Sequence, residues 1–404
     1  MFKIKFAAIP ILAMFFISGI AAASPANMSI GQWIPQSSYP ISVSGESCAV
    51  SSSYVYCIGG FNGTLSTNQT YFAKISASGI GNWTETTPYP YVISSLSCNT
   101  NSGYIYCVGG VAGESPINST FYANVTPSGI GPWTEGTPYP FHVSNTNCNI
   151  YNNTVFCVGG INQFYPTRLV FSSAVTNSGF GQWQSQIQYP INISGTSCVT
   201  NAGFIYCVGG NSANSIVNSN YYSQITLQKL DQWQPALIYP LNITSQSCIA
   251  NSGNIYCIGG FNDTFYLPFA YFGSLSPSGI SNWTNTTSYP FPNSGSSCFS
   301  KQNQIYCVGG LGLYQNTITN LTLSAPIFTQ SYVPTSSSTS LSTTIIQVSN
   351  LNQTTSATSN QTNSTQTGPT SPSSPNVLIA SAVIVILAAI LLIVFYLYRL
   401  GNKR

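Results

Sequence analysis

CAVSSSYVYCIGG, residues 48–60, sets two cysteines nine positions apart with a tyrosine-rich run between them and closes on a glycine pair. The spacing returns at Cys98 and Cys107, Cys148 and Cys157, Cys198 and Cys207, Cys248 and Cys257, and Cys298 and Cys307, so all twelve cysteines of the chain are used. Between them Ser102-Gly103, Ala202-Gly203 and Ser252-Gly253 read as two-residue hairpin turns. With the turn at residues 52 and 53, Cys48 stands opposite Cys57 in a non-hydrogen-bonded pair, where side chains of facing strands come closest. The register therefore predicts six cross-strand disulfides, one per hairpin. Zinc is a poor alternative, because the spacing is not that of a knuckle and His142 is the only histidine.

Working outward, Trp33, Trp83, Trp133, Trp183, Trp233 and Trp283 recur every fifty residues, and Tyr-Pro follows six residues after each. A period near fifty with a double glycine and a tryptophan belongs to propeller repeats rather than helical solenoids. Each unit divides into four strands: one with the first cysteine, an all-apolar one such as 54–58 that must be buried on both faces, a third with aromatic pairs such as Phe121-Tyr122, and a fourth near the tryptophan. Ile105-Tyr106-Cys107-Val108-Gly109-Gly110 resembles the kelch strand that ends in Gly-Gly, and Gly129-Ile130-Gly131-Pro132-Trp133 resembles the approach to the kelch tryptophan. The resemblance covers residues 30–326 and implies a kelch-like β-propeller. There are two departures: serine, threonine or asparagine, as at Ser44 and Ser47, where kelch repeats often carry Arg and His, and the cysteine pairs themselves.

The chain opens on a tryptophan unit before any cysteine pair, whereas its sixth pair is followed by a third strand near 320–327 but no seventh tryptophan. Six complete blades result if the N-terminal strand closes the last one, which leaves no open sheet edge between the ends of the ring. The expected fold is all-β: a six-bladed kelch-like propeller over 24–330, plus one C-terminal transmembrane helix.

The ends place the chain at a membrane. Residues 1–23 carry Lys3 and Lys5, an apolar stretch and a small-residue cleavage site, the pattern of a signal peptide. Residues 377–398 form an uncharged apolar run long enough to span a bilayer, and the basic tail 399–404 faces the cytoplasm. Residues 331–375 are rich in Ser, Thr, Asn and Pro without a hydrophobic period and read as a stalk. The expected location is the cell membrane, N-terminal domain outside. Paired cysteines suit that oxidising compartment.

Five of the nine basic residues sit in the signal peptide or the tail, so the exported part is slightly acidic and offers no basic patch for nucleic acid. Its six carboxylates and one histidine predict little acid dependence of stability. Sequons fall at Asn27, Asn62, Asn68, Asn82, Asn118, Asn124, Asn152, Asn192, Asn242, Asn262, Asn282, Asn285, Asn320, Asn352, Asn360 and Asn363, candidates for glycosylation in an exported chain.

Catalysis is disfavoured. The glycine pairs precede no Gly-Lys-Ser/Thr and end strands, so they are no phosphate loops. The tryptophans are explained by the structural period, and His142 is a lone loop histidine. Kelch relatives include a copper enzyme with two histidine ligands and sialic-acid-processing proteins with charged channels; this inventory reproduces neither, and no cofactor or metal is expected. The second-to-third loops, 61–69, 111–119, 161–169, 211–219, 261–268 and 311–319, differ among repeats whose frames are alike, which is how binding surfaces are built on fixed scaffolds. On that face Tyr91, Phe141 and Phe291 follow the prolines as candidate sugar-stacking aromatics. Phe164, Tyr165 and Arg168 mark a loop without a sequon. The expected role is a surface module binding glycan or protein; the alternatives are a structural envelope component and a carbohydrate-active enzyme.

Overall fold

In the computed structural model, which describes residues 27–313 and 317–330, six antiparallel sheets are arranged as the blades of a β-propeller. The segments expected to be a signal peptide, a stalk, a membrane-spanning helix and a cytoplasmic tail, with the sequons Asn352, Asn360 and Asn363, lie outside the described residues. Blade 1 runs outward through Ser47–Ser51, Tyr54–Ile58 and Thr70–Ser76 to an outer strand split around Trp83 into Gly79–Ile80 and Thr84–Glu85. In blade 6 the inner strands Ser297–Lys301 and Gln304–Val308 are followed by Thr322–Gln330, and Asn27–Ile30 and Ile34–Pro35 pair with that third strand to supply the outer position. The N-terminal strand thus closes the ring.

The hairpin turns form where expected, with Ser102 and Gly103 both at positive φ. Cys48 pairs with Cys57, and the other five couples follow the same register. All six disulfides are present, with Cα atoms 4.0–4.1 Å apart. The second strand is buried on both faces: Val55, Tyr56, Cys57 and Ile58 are at most 1% exposed. It can be so because the hydrophobic core is not one but six, each filling the gap between neighbouring blades.

Tryptophan and Tyr-Pro form one device, repeated around the ring. Each indole packs edge-on against the tyrosine that precedes it by 44 residues, as Trp183 does on Tyr139 at 4.8 Å, and donates its N–H to a backbone carbonyl, here that of Thr137 at 3.0 Å. Trp33 makes the same contact with Tyr289, across the two ends of the propeller. Burial raises the Tyr139 phenol far above its ordinary pKa. The glycine pairs hold the blades close: a Cβ on Gly109 would lie 2.3 Å from the Val143 carbonyl oxygen, and Gly110 donates its N–H to that same oxygen at 2.9 Å.

Candidate functional site

The variable loops and the links between blades share one face. Each loop is anchored where it leaves its strand, by a bridge between its first residue and the preceding link, as in Ser44 with Phe61 and Ser144 with Ile161. Beyond the anchor the loops diverge. In blade 3, Ile161–Asn162 and Tyr165–Pro166 form a small hairpin whose turn is Gln163-Phe164, with Gln163 at positive φ. This puts Phe164 at 83% exposure and Tyr165 at 73%. In blades 1 and 5 an asparagine builds the turn instead: Asn62 Oδ1 accepts from Thr64 and Leu65, and Asn262 Oδ1 from Thr264 and Phe265. Leu65 and Phe265 are left 69% and 66% exposed. Several loop tips thus hold a large apolar side chain in water, which no core requirement explains.

The sequence-predicted residues divide into two groups. Phe164, Tyr165 and the exposed Arg168 stand together on the blade 3 loop. Tyr91 is 42% exposed, with its ring edge-on to Phe121. Phe141 and Phe291 are half-buried packing residues: Phe141 lies against Tyr139 and Phe171, and Phe291 against Tyr289 at 4.9 Å. Of the sequons, Asn82, Asn124, Asn152, Asn192, Asn242, Asn282 and Asn285 are exposed along with Asn62. Asn68, Asn118, Asn262 and Asn320 are half-buried.

At the centre of the same face the chain builds a feature absent from the sequence reading. Gly45, Ser95, Asn145, Gly195, Ser245 and Gly295 each donate a backbone N–H to the carbonyl of the equivalent residue one blade back, at 2.8–3.1 Å, closing a hydrogen-bonded ring around the axis. All six have positive φ. The signal was in the residue types, since glycine, serine and asparagine at one repeat position are those that tolerate or bond locally in that conformation. Beneath the ring lies a polar vestibule of about 200 Å³, with Ser47, Ser97, Asn147, Ser197, Ser247 and Ser297 in its wall. Five of these positions are serines, and each of those hydroxyls accepts the N–H of the next blade's first half-cystine, as Ser47 does from Cys98 at 2.9 Å. Neighbouring side chains thereby cap the inner sheet edges. Further along the axis a chamber of about 300 Å³ has Asn99 and Asn149 on one side and Val199, Ile249 and Phe299 on the other.

Among the described residues no three His, Cys, Asp or Glu side chains come together to hold a metal ion. Glu46, on the vestibule wall, carries the one buried carboxyl among the described residues, and burial pushes it up to about 8.

No protein-family model matches this chain, and no curated protein is similar to it in sequence. The solved structure of YjhT is similar over 71% of this chain and 95% of its own, with a TM-score of 0.61 at 12% identity. At that identity the likeness is one of fold, a six-bladed β-propeller.

Proposed function

We propose that this chain is a kelch-like binding module displayed at the cell surface, exported by its signal peptide, carried on a glycosylated Ser/Thr-rich stalk and anchored by one transmembrane helix. Its working surface is the loop face, and its partner is a protein or glycan outside the cell. The observation that carries the reading is the pair Phe164 and Tyr165, exposed at 83% and 73% on the tip of a hairpin that the fold does not need. Projecting aromatic tips beside an arginine have the composition of interface anchors and insert into a partner's recess. A protein partner fits these projecting tips better than a free sugar, for which Phe141 and Phe291, half-buried against Tyr139 and Tyr289, present only part of their rings. Glycans on Asn62, Asn68, Asn118 and Asn262 would shade the loops of blades 1, 2 and 5; the loops of blades 3, 4 and 6 carry no sequon, and Asn192 and Asn242 stand exposed in the links beside the blade 3 and blade 4 loops.

The test begins with a binding screen of residues 24–330 against surface proteins and glycans. For any partner found, replacing Phe164, Tyr165 and Arg168 together by alanine should weaken binding at least tenfold without changing the circular dichroism spectrum. Unchanged affinity would place the working surface elsewhere. Exchanging loop 261–268 for 211–219 should also weaken binding while leaving the cysteines, glycine pairs and tryptophans in place.

A further inference from the structure

Position 46 is a glutamate only in blade 1; its equivalents are Leu96, Thr146, Thr196, Gln246 and Ser296. Glu46 is 6% exposed. Its Oε1 accepts the Ser297 N–H from blade 6 at 3.3 Å, whereas Oε2 is buried and receives no hydrogen bond. Gln246 shows what a side chain of the same length does at this position. Its Nε2 donates to the Val208 carbonyl of the preceding blade at 2.7 Å, and lies 3.2 Å from where a Cβ on Gly209 would be. Glu46 Oε1 lies 3.0 Å from the matching point on Gly309. The two side chains make the same reach to the same strand end, and the carbonyl standing where that of Val208 stands belongs to Val308.

An ionised carboxylate there would face a carbonyl oxygen, two acceptors with no proton between them. A carbonyl oxygen has lone pairs enough for a second donor beside its ladder bond. We propose that Glu46 is a neutral carboxylic acid that donates its proton to the Val308 carbonyl, latching the first blade to the last through a bond that pH makes and breaks. The titratable groups that act on it are Tyr39 and Tyr289, from the links entering blades 1 and 6; both hydroxyls are buried without partners, and neither can supply a positive charge. Asn293, beside Gly310, is neutral. The amides of Glu46 and Ser297 favour the charged form, but the loss of hydration on burial outweighs them.

Because the folded pKa lies above the ordinary carboxylate value, the proton stays on the latch until pH nears about 8, and its contribution to stability, complete below the ordinary value, declines above it and is lost as pH rises through about 8. Its loss leaves a bare charge next to the Gly45–Gly295 link of the backbone ring, which should open first at that point. The chain has only four glutamates, Glu46, Glu85, Glu114 and Glu135, so labelling their side-chain carboxyl carbons with ¹³C gives four signals to follow by NMR. The expected result is one signal in the protonated position at pH 7, titrating above it and absent from Glu46→Gln. The melting temperature of the wild type should fall between pH 5 and pH 9, and that of Glu46→Gln should not. If none of the four signals in the wild type titrates above about pH 6, the proposal is overturned whether or not the variant folds.

Discussion

Removing one disulfide gives the sharpest measure of what holds this propeller together. In Cys198→Ala/Cys207→Ala the lost bridge spans a sequence separation of 9. For a closed loop of about ten residues the chain-entropy relation gives about 9 cal/mol/K, or about 2.7 kcal/mol at 25 °C. With an unfolding entropy of about 2.1 cal/mol/K per residue over about 300 residues, the melting temperature should drop by about 4 °C. All six loops have the same length, so the same double substitution in any blade should cost nearly the same. Six such terms total about 16 kcal/mol, at or beyond the whole stability of an ordinary domain, so complete reduction should unfold the protein. The assay is denaturant unfolding of each double variant, with reductant titration of the wild type. A loss below about 1 kcal/mol, or a wild type that stays folded when fully reduced, would refute the account of the disulfides as the main staple.

Three further outcomes are expected. Gly109→Ala, whose Cβ would meet the Val143 carbonyl oxygen at 2.3 Å with φ +60°, should cost above about 4 kcal/mol in denaturant titration; Gly113→Ala, at φ +67° with nothing within 4 Å, should cost about 1–2. Trp183→Phe keeps an aromatic ring against Tyr139 but loses the bond to the Thr137 carbonyl, and should lower stability by about 1–2 kcal/mol by the same assay. Acidification from pH 7 to about pH 4 should raise the melting temperature. With the Glu46 carboxyl moved from 4.5 to about 8, linkage amounts to about 1.4 kcal/mol per pH unit across that window, about 3 kcal/mol in all. A calorimetric scan series showing a falling midpoint over that range would contradict it.

That last expectation modifies the sequence reading. Six carboxylates suggested a profile indifferent to acid, which counts charges correctly but treats every one as exposed. Whether Glu46 is solvated depends on blade 6 closing over it, a contact with Ser297 at a separation of 251 residues. The aromatic candidates divide for the same reason. Tyr91, Phe141 and Phe291 occupy one repeat position, and Tyr91 and Phe141 both lean on the third strand of the next blade, at Phe121 and Phe171, yet Phe141 and Phe291 also pack on the link tyrosines Tyr139 and Tyr289, while Tyr91 keeps 42% of its surface in water.

By itself the sequence determined the blade. The hairpin turn sets the register, a period of two puts Cys48 opposite Cys57, and the invariant spacing of tryptophan and Tyr-Pro counts the units, all of them interactions within some fifty residues. It also determined that the first strand must complete the last blade, since the units are out of phase with the ends of the chain. Only the tertiary structure decided what happens on the axis and at the loop tips. The ring through Gly45, Ser95 and their equivalents is made of backbone groups, which carry no side-chain signature beyond tolerance of positive φ, and exists only when all six blades meet. The exposure of Phe164 follows from a two-residue turn that lifts it clear of a core its own hydrophobicity would otherwise have claimed.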